Sequence, residues 1–209
     1  MADNVLPLTI SMHRNPNWVK KMKKFINRLL VSTLAALTIN HALAAEPDAA
    51  RVDFEPPKPD LVYMGRFSVD LIAPIWELGK TTEAGKRRII PITGGSIKGP
   101  LLNGEILNNG ADWQVVAPDG LAFIDTRYLL KMDDGELVYL QTRGLRYGPP
   151  DVMADVAKGK LVDPGKYYFR LYMTFETASK KYAWLNRTMA VGYAMRLGNA
   201  VVYDAYQLK

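Results

Sequence analysis

The sequence of 209 residues contains no cysteine, and its two histidines, His13 and His41, lie near the N-terminus. The rest of the chain therefore has no disulfide, no Ser-His-Asp or Cys-His catalytic system, and no zinc, copper or iron–sulfur site held by His or Cys. Carboxylates alone can bind Ca²⁺ or Mg²⁺, but no EF-hand-like spacing is present. We expect no metal and no cofactor, so any chemistry must use Asp, Glu, Tyr, Lys, Arg, Ser, Thr or Asn.

A hydrophobic run long enough to span a membrane is also missing. The apolar segment 29–39 has about 11 residues, whereas a helix that crosses a bilayer needs roughly 20. A basic stretch, 23–28, precedes this segment, and the small residues of 42–44 follow it. A basic start, a short apolar middle and small residues before the cut are the pattern of a Sec signal peptide. The sequence predicts cleavage between Ala44 and Ala45.

This leader divides the chain. Segment 22–44 is the predicted signal peptide, and 1–21, upstream of it, is interpreted as a start codon assigned too early or as an extended leader. Segment 45–60 is rich in Ala, Pro and acidic residues and is predicted to be a flexible tether. Residues 61–209 form the predicted domain. We expect a periplasmic or secreted protein with no stable membrane insertion after cleavage.

An excess of basic charge is absent from the predicted mature chain. Six of the 27 Lys and Arg residues and one of the 21 Asp and Glu residues lie within 1–44, which leaves 21 basic and 20 acidic residues. The formal net charge falls from +6 to about +1. Because the basic charge belongs mostly to the leader, the sequence predicts no nucleic-acid partner.

Strand-like segments with short connections fill the chain from Leu61 onward. They are rich in β-branched and aromatic residues and are separated by Gly, Asn, Asp and Pro. One short helix is expected at 151–160, and 181–188 is expected to be a turn or a short helix. The pattern predicts an all-β fold, a small antiparallel β-barrel of about 8–9 strands, with a sandwich as the alternative. The predicted strands are 61–72, 87–99, 102–107, 112–116, 121–132, 136–147, 166–177, 189–197 and 200–208.

Three of these segments allow more detailed predictions. Asp134-Gly135 fits a two-residue type I′ hairpin loop, which would place Met132 opposite Leu137. In 166–177 apolar and polar residues alternate, so the odd-numbered residues from Tyr167 on share an apolar face and the even-numbered ones share the other. In 87–99 a pair of glycines at 94–95 indicates a bulge or a sharp bend.

Six short motifs with Gly or Asp occur in order along the chain: GP at 99–100, GE at 104–105, GADW at 110–113, DG at 119–120, DTRY at 125–128 and DG at 134–135. In this order, and with YAWLN at 182–186, the chain resembles the bacterial and fungal family known as domain of unknown function 3237. Asn109 replaces a glycine of the third motif. The resemblance covers essentially all of 60–209 and implies a small antiparallel β-barrel, with no assured activity.

Asp125 and Arg127 are the main candidates for chemistry. They lie two residues apart on the mixed face of the 121–132 strand, where a carboxylate and a guanidinium can pair. One interpretation is an ion pair on the exterior of the barrel. The other is a polar feature inside it, where burial would raise the pKa of Asp125 and allow proton transfer. Three further aspartates are interpreted as anchors of loops and turns: Asp112, Asp119 and Asp134.

Aromatic and basic side chains form a second candidate set. Arg binds carboxylates and enolates through paired donors, and the mouths of barrels commonly hold pockets. The predicted ligand-binding residues are Trp113, Arg127, Tyr128, Arg143, Arg170, Tyr172 and Asn186.

Three classes of function stay open on this evidence. We expect an exported protein that binds a small apolar or anionic molecule in a barrel pocket. The alternative is a cofactor-free isomerase, cyclase or lyase with Asp125 as its catalytic residue and Arg and Tyr donors around it. A structural or interaction barrel is a weaker alternative. The sequence decides neither whether the protein is an enzyme nor whether exposed edges or an aromatic face support a dimer.

Overall fold

The computed structural model describes residues 55–209. The predicted signal peptide, its cleavage site and residues 45–54 of the predicted tether lie outside the described residues. Within them, the elements follow the order β1 (Leu61–Leu71), β2 (Trp76–Thr82), β3 (Gly85–Lys98), β4 (Gly104–Ile106), β5 (Gly110–Val116), β6 (Ala122–Met132), β7 (Leu137–Tyr147), α1 (Pro150–Ala157), a 3-10 helix (Pro164–Lys166), β8 (Tyr168–Glu176), a 3-10 helix (Ala183–Arg187), β9 (Ala190–Arg196) and β10 (Ala200–Leu208).

Eight of these strands close into an antiparallel barrel. The circuit runs through β1, β10, β9, β8, β7, β6, β5 and β3, and β3 pairs with β1 to complete it. β3 is long because its first half pairs with β5 and its second half pairs with β1. β2 and β4 are the two additional strands, and each pairs with β3. The prediction of a small all-β antiparallel barrel with a short helix is confirmed.

Alternate side chains fill the interior of the barrel. In β8 the residues Phe169, Leu171, Met173 and Phe175 are buried, and those between them face outward, as the alternation in the sequence predicts. Burial of a side chain of this size stabilises a protein by about 1.5–3 kcal/mol relative to exposure. Other strands contribute buried side chains to the same core, among them Phe67, Ile92, Ile97, Leu130, Val138 and Leu140.

The loop between β6 and β7 differs from its prediction. The Gly135 N–H donates to the Met132 carbonyl and the Met132 N–H donates to the Glu136 carbonyl, so the loop has three residues, with Gly135 at a φ of 86°. Such a loop is a type I turn followed by a bulge with a left-handed glycine. Lys131, and not Met132, therefore lies opposite Leu137. The predicted two-residue loop is wrong, and the one-residue slip reverses the faces assigned to β7.

β2 has no counterpart among the predicted strands. Six of its seven residues are exposed, and only Gly79 is partly buried. A strand that pairs at the outside of the barrel buries neither face, so its sequence has no period of two to recognise.

α1 lies in the connection from β7 to β8, where a short helix is expected from the sequence, and covers one end of the barrel, the helix end. Pro at the start of the helix and Asp151 in its first turn favour its N-terminus. Val156 is buried in the barrel core, and Val152 and Met153 pack against that core. Among the residues that the structure describes, no helix has the length and apolar character needed to cross a bilayer.

Candidate functional site

An open groove of about 780 Å³ runs across the outer surface of the barrel, over β6, β7, β8 and β9. Gly144 and Gly192 form part of its floor. Side chains that point away from the barrel interior form its walls, and apolar and charged groups are mixed there. We call it the outer groove and define it by six residues: Phe123, Asp125, Arg143, Leu145, Arg170 and Tyr172.

Asp125 lies on the outer face of β6, and 32% of its side chain is exposed. Its carboxylate accepts hydrogen bonds from the Gln141 amide at 2.9 Å, from Arg127 Nη2 at 3.2 Å and from Arg143 Nε at 3.4 Å. Of the two interpretations of Asp125 and Arg127, the structure therefore shows the exterior ion pair. Both arginines are held in place by this one carboxylate.

Arg170 is held between two tyrosines of the same surface. Its guanidinium carbon lies 4.3 Å from the ring centre of Tyr193 and 5.1 Å from that of Tyr168. A cation over an aromatic face is attracted by the negative charge of the ring face, which fixes the position of the guanidinium. Arg127, Arg143 and Arg170 thus share this surface with the single carboxylate described above, so the outer groove carries an excess of positive charge.

The predicted site residues are only partly brought together. Arg127 and Trp113 lie beside the groove, with the guanidinium 5.6 Å from the centre of the indole ring. Tyr128 points into the barrel interior and is 3% exposed. Asn186 lies elsewhere and exchanges two hydrogen bonds of 2.8 Å with the Thr177 backbone. The residues that do meet in the outer groove are Asp125, Arg143, Arg170 and Tyr172.

Three arginines point into the barrel at the helix end, where the sequence analysis places no candidate. They are Arg88 of β3, Arg146 of β7 and Arg196 of β9, and we call them the inner arginine cluster. The Nε atoms of Arg88 and Arg146 are buried and have no hydrogen-bond partner within residues 55–209. Arg146 lies over Phe169, 5.6 Å from the ring centre. Because a buried polar group without a partner costs free energy, this arrangement calls for a physical reason.

Asp112 is the buried carboxylate beside this cluster. One of its oxygens accepts a hydrogen bond from the Asp125 N–H at 3.1 Å, and the other accepts one from the Gln114 amide at 2.9 Å. The Gln114 oxygen in turn accepts a hydrogen bond from Arg88. Burial raises the pKa of the Asp112 carboxyl to about 6, although these two hydrogen bonds and the nearby positive charge of Arg146 lower it. Asp112 thus anchors a neighbouring strand and is also titratable inside the barrel.

The inner arginine cluster has more positive than negative charge around it. Burial lowers the pKa of Arg146 to about 10, and the positive charge of Arg88 adds to this shift. Burial, and then Arg88, also lower the pKa of Arg196, whose Nη1 donates to the Ala200 carbonyl at 3.0 Å. Glu77, on the exposed strand β2, lies 3.6 Å from Arg88. Three guanidiniums are therefore balanced by one buried carboxylate and one exposed carboxylate.

A cavity of about 40 Å³ lies in the barrel interior, lined in part by Asp112 and by Phe169, the residue under Arg146, and by none of the three arginines. Two pairs of hydroxyl groups also line it, Thr126 with Thr142 and Tyr128 with Tyr203, each with oxygens 2.6 Å apart. A space of this size holds a group about as large as one or a few water molecules, and a whole organic ligand needs several times more. Nowhere in residues 55–209 do three or more His, Cys, Asp or Glu side chains come together as metal ligands.

The sequence does contain a signal for the inner arginine cluster. Arg88 precedes Ile90 at the spacing of one strand face, and Arg196 follows Ala194 in the same way, so each arginine occupies an inward position. The alternation could therefore have been followed to the ends of both strands. Arg146 was missed for another reason. In the predicted register of the β6–β7 hairpin, Arg146 does not share the face of Met132, whereas in the structure it does.

A family model described as a protein of unknown function (DUF3237) matches residues 59–208, nearly all of the described domain. The chain belongs to this family. The resemblance drawn from the six motifs is thereby confirmed. Two relatives are similar over most of their own lengths. UPF0311 protein RPA1785 of Rhodopseudomonas palustris is 39% identical over 136 residues, covering 63% of this chain and 89% of the relative. UPF0311 protein CA_C3321 of Clostridium acetobutylicum is 38% identical over 131 residues, covering 63% and 83%.

Solved structures resemble the DUF3237 domain described here. A β-barrel-like protein from Acinetobacter baumannii AYE is 62% identical, with a TM-score of 0.67 over 75% of this chain and 99% of that one. A protein of unknown function from Rhodopseudomonas palustris is 34% identical, with a TM-score of 0.68 over 74% and 100%. An enzyme from Penicillium herquei is 22% identical, with a TM-score of 0.54 over 76% and 100%, and this likeness concerns the fold alone.

Proposed function

We propose that the protein is an exported barrel that binds, in its outer groove, a small molecule with an apolar body and an anionic head. The observation that supports this most is the position of Arg143 and Arg170 among apolar walls, on a surface with more guanidiniums than carboxylates. Phe123 and Leu145 are 40% and 37% exposed, and a ligand that covers them gains about 25 cal/mol for each Å² of apolar surface removed from water. A carboxylate or enolate head is the partner that paired guanidinium donors fit.

The two arginines are already fixed before a ligand arrives. Tyr168 and Tyr193 hold Arg170 between their rings, and Asp125 accepts a hydrogen bond from Arg143. Less side-chain freedom is therefore lost on binding, which strengthens binding for a given set of contacts. In this proposal Asp125 positions Arg143 and does not touch the ligand.

A cofactor-free isomerase, cyclase or lyase is the second candidate, because Asp125 lines the groove where a substrate would lie. A general base must reach the proton that it removes. The Asp125 carboxylate already accepts three hydrogen bonds, which leaves one of its about four acceptor sites for a substrate proton. Binding alone does not depend on a substrate proton reaching that single site, and it is the function that we favour.

A fluorescent probe of the proposed chemistry tests the groove. Anilinonaphthalene sulfonate has an apolar aromatic body and an anionic head. We expect the double variant Arg143→Gln/Arg170→Gln to bind it at least about tenfold more weakly, since each charge-assisted hydrogen bond contributes roughly 1.5–3 kcal/mol. The control is Lys180→Gln/Arg187→Gln, which removes the same charge from exposed positions and should bind within about twofold of the parent.

Two results would contradict the proposal. One is equal affinity of the two double variants for the probe. The other is a dimer in sedimentation that only the groove variant dissociates, because the groove would then be an interface between two copies.

A further inference from the structure

The inner arginine cluster is a second place where charge is unbalanced, and it is separate from the outer groove. Strands β7 and β8 contribute residues to both places from opposite faces. In β7, Arg143 faces outward and Arg146 faces inward; in β8, Arg170 faces outward and Phe169 faces inward. A ligand of the outer groove therefore cannot reach the cluster without entering the barrel. The cluster needs an explanation of its own.

Core packing does not explain these arginines. A barrel interior gains stability from apolar side chains, and replacing buried charges by apolar groups is often neutral or stabilising. Here two Nε donors, of Arg88 and Arg146, are buried and have no partner among the described residues. Asp112 offers two oxygens to the cluster region, and both already accept hydrogen bonds from other donors. The Asp112 carboxylate therefore does not pair with the buried Nε donors of Arg88 and Arg146.

The unused groups are all hydrogen-bond donors with positive charge. Such a set is complementary to an oxyanion, whose oxygens accept several hydrogen bonds at once and whose charge offsets neighbouring guanidiniums. Asp112 and Phe169 adjoin the cluster and also line the cavity of about 40 Å³, although none of the three arginines lines it. Close packing of the surrounding interior therefore restricts the bound group to a compact one.

We propose that the helix end of the barrel interior is a binding site for a compact oxyanion, the size of a carboxylate or phosphate group, held by Arg88, Arg146 and Arg196. The anion lies under α1 and beside the small cavity, and its oxygens accept hydrogen bonds from the buried Nε–H groups. Its charge offsets the excess of positive charge in the cluster.

The test measures thermal unfolding of the purified protein in sodium phosphate, in sodium acetate and in sodium chloride at equal ionic strength. A ligand that binds the folded state raises the unfolding temperature. We expect phosphate, acetate or both to raise it on the order of 4 °C above chloride. A larger shift in phosphate indicates that the site prefers a tetrahedral anion, and a larger shift in acetate indicates that it prefers a planar one.

Variants at the cluster separate binding from general salt effects. Arg146→Gln should lose the anion-dependent shift, and in chloride it should unfold at the same temperature as the parent or higher, because a costly buried charge is gone. Arg146→Lys keeps the charge but loses the forked donors, and should keep less than half of the shift. Arg187→Gln removes one exposed charge at the opposite end of the barrel and should keep the full shift.

The same site can also be observed directly in the parent protein. This measurement does not depend on whether a variant folds. The NMR signals of the Arg Nε–Hε groups should include two that move on titration with inorganic phosphate and not with chloride. The proposal is overturned if Arg146→Gln keeps the full shift, if chloride acts as strongly as phosphate and acetate, or if no Nε–Hε signal responds to either oxyanion.

Discussion

Asp112 is a carboxylic acid inside a barrel, and its protonation connects pH with stability. Its pKa is about 6 in the folded protein, against about 3.8 for an ordinary aspartate, because burial disfavours the charged form. Between these two values the folded state holds the proton more strongly than the unfolded state does. Stability therefore falls as the pH rises from about 4 to 6, and the ionised carboxylate costs up to about 3 kcal/mol above that range.

Asp112→Asn should remove this dependence, because the amide does not titrate. The quantity to follow is the difference in the free energy of unfolding, parent minus variant. We expect this difference to decrease by up to about 3 kcal/mol between pH 4 and pH 7. Urea unfolding at a series of pH values, in chloride buffers without phosphate, measures it. A difference that stays constant across this range would show that Asp112 keeps an ordinary pKa in the folded state.

The buried tyrosine pair gives a second prediction at the residue scale. The hydroxyls of Tyr128 and Tyr203 lie 2.6 Å apart in the core, and burial raises the pKa of both, so each is neutral and serves as the other's partner. Tyr128→Phe leaves the Tyr203 hydroxyl buried without that partner, which should cost about 1–3 kcal/mol. The double variant Tyr128→Phe/Tyr203→Phe should cost less than the sum of the single variants, as urea unfolding of all four proteins would show. Strict additivity would mean that the two hydroxyls do not interact.

Among the elements, the β6–β7 hairpin depends on the conformation of one glycine. Gly135 has a φ of 86°, a region that other residues enter at a cost of about 1–2 kcal/mol. Gly135→Ala should lower the free energy of unfolding by about that amount, and Gly135→Asn should lower it less, since Asn tolerates this region better. Gly198→Ala is the matched control, because Gly198 lies in the β9–β10 hairpin without a positive φ, and it should change stability by less than about 0.5 kcal/mol. Equal effects at both glycines would argue against the three-residue loop.

Elements with one buried face were predictable from the sequence, and the others were not. β8 alternates from Phe169 to Phe175 because one face packs in the core, and this signal is local. β2 buries neither face and shows no such signal. The β6–β7 loop was misassigned because Asp-Gly suits both a two-residue and a three-residue loop, and the choice between them depends on packing across the strands. The candidate site was affected by this error: Asp125 and Arg143 were recognised, whereas Arg146, which the predicted register does not place on the face of Met132, was not considered.

At the scale of the molecule, closure of the barrel joins parts of the chain that are far apart in sequence. β1 pairs with β10, and Val69 of β1 lies opposite Gly95 of β3. A side chain at Gly95 would overlap the Ser68 carbonyl oxygen, so the glycine pair predicted to bend β3 sits where β3 meets β1. The sequence predicted that the strands close into a barrel. It also predicted where β3 bends, at the glycine pair 94–95. Which strands meet depends on packing of the whole interior, which no local pattern reports.

The whole protein also has an expected cellular location. The segment that predicts this location precedes the described residues. The basic stretch 23–28, the apolar segment 29–39 and the small residues of 42–44 predict export and cleavage before Ala45. Expressed in a bacterium with a Sec pathway, the protein should appear in the periplasmic fraction, with Ala45 as the first residue in N-terminal sequencing. Ala44→Phe places a large side chain at the position before the cut and should leave the leader attached, whereas Ala45→Ser, just after the cut, should be processed as the parent is. A cytoplasmic protein that retains residues 22–44 would show that this segment is not a signal peptide.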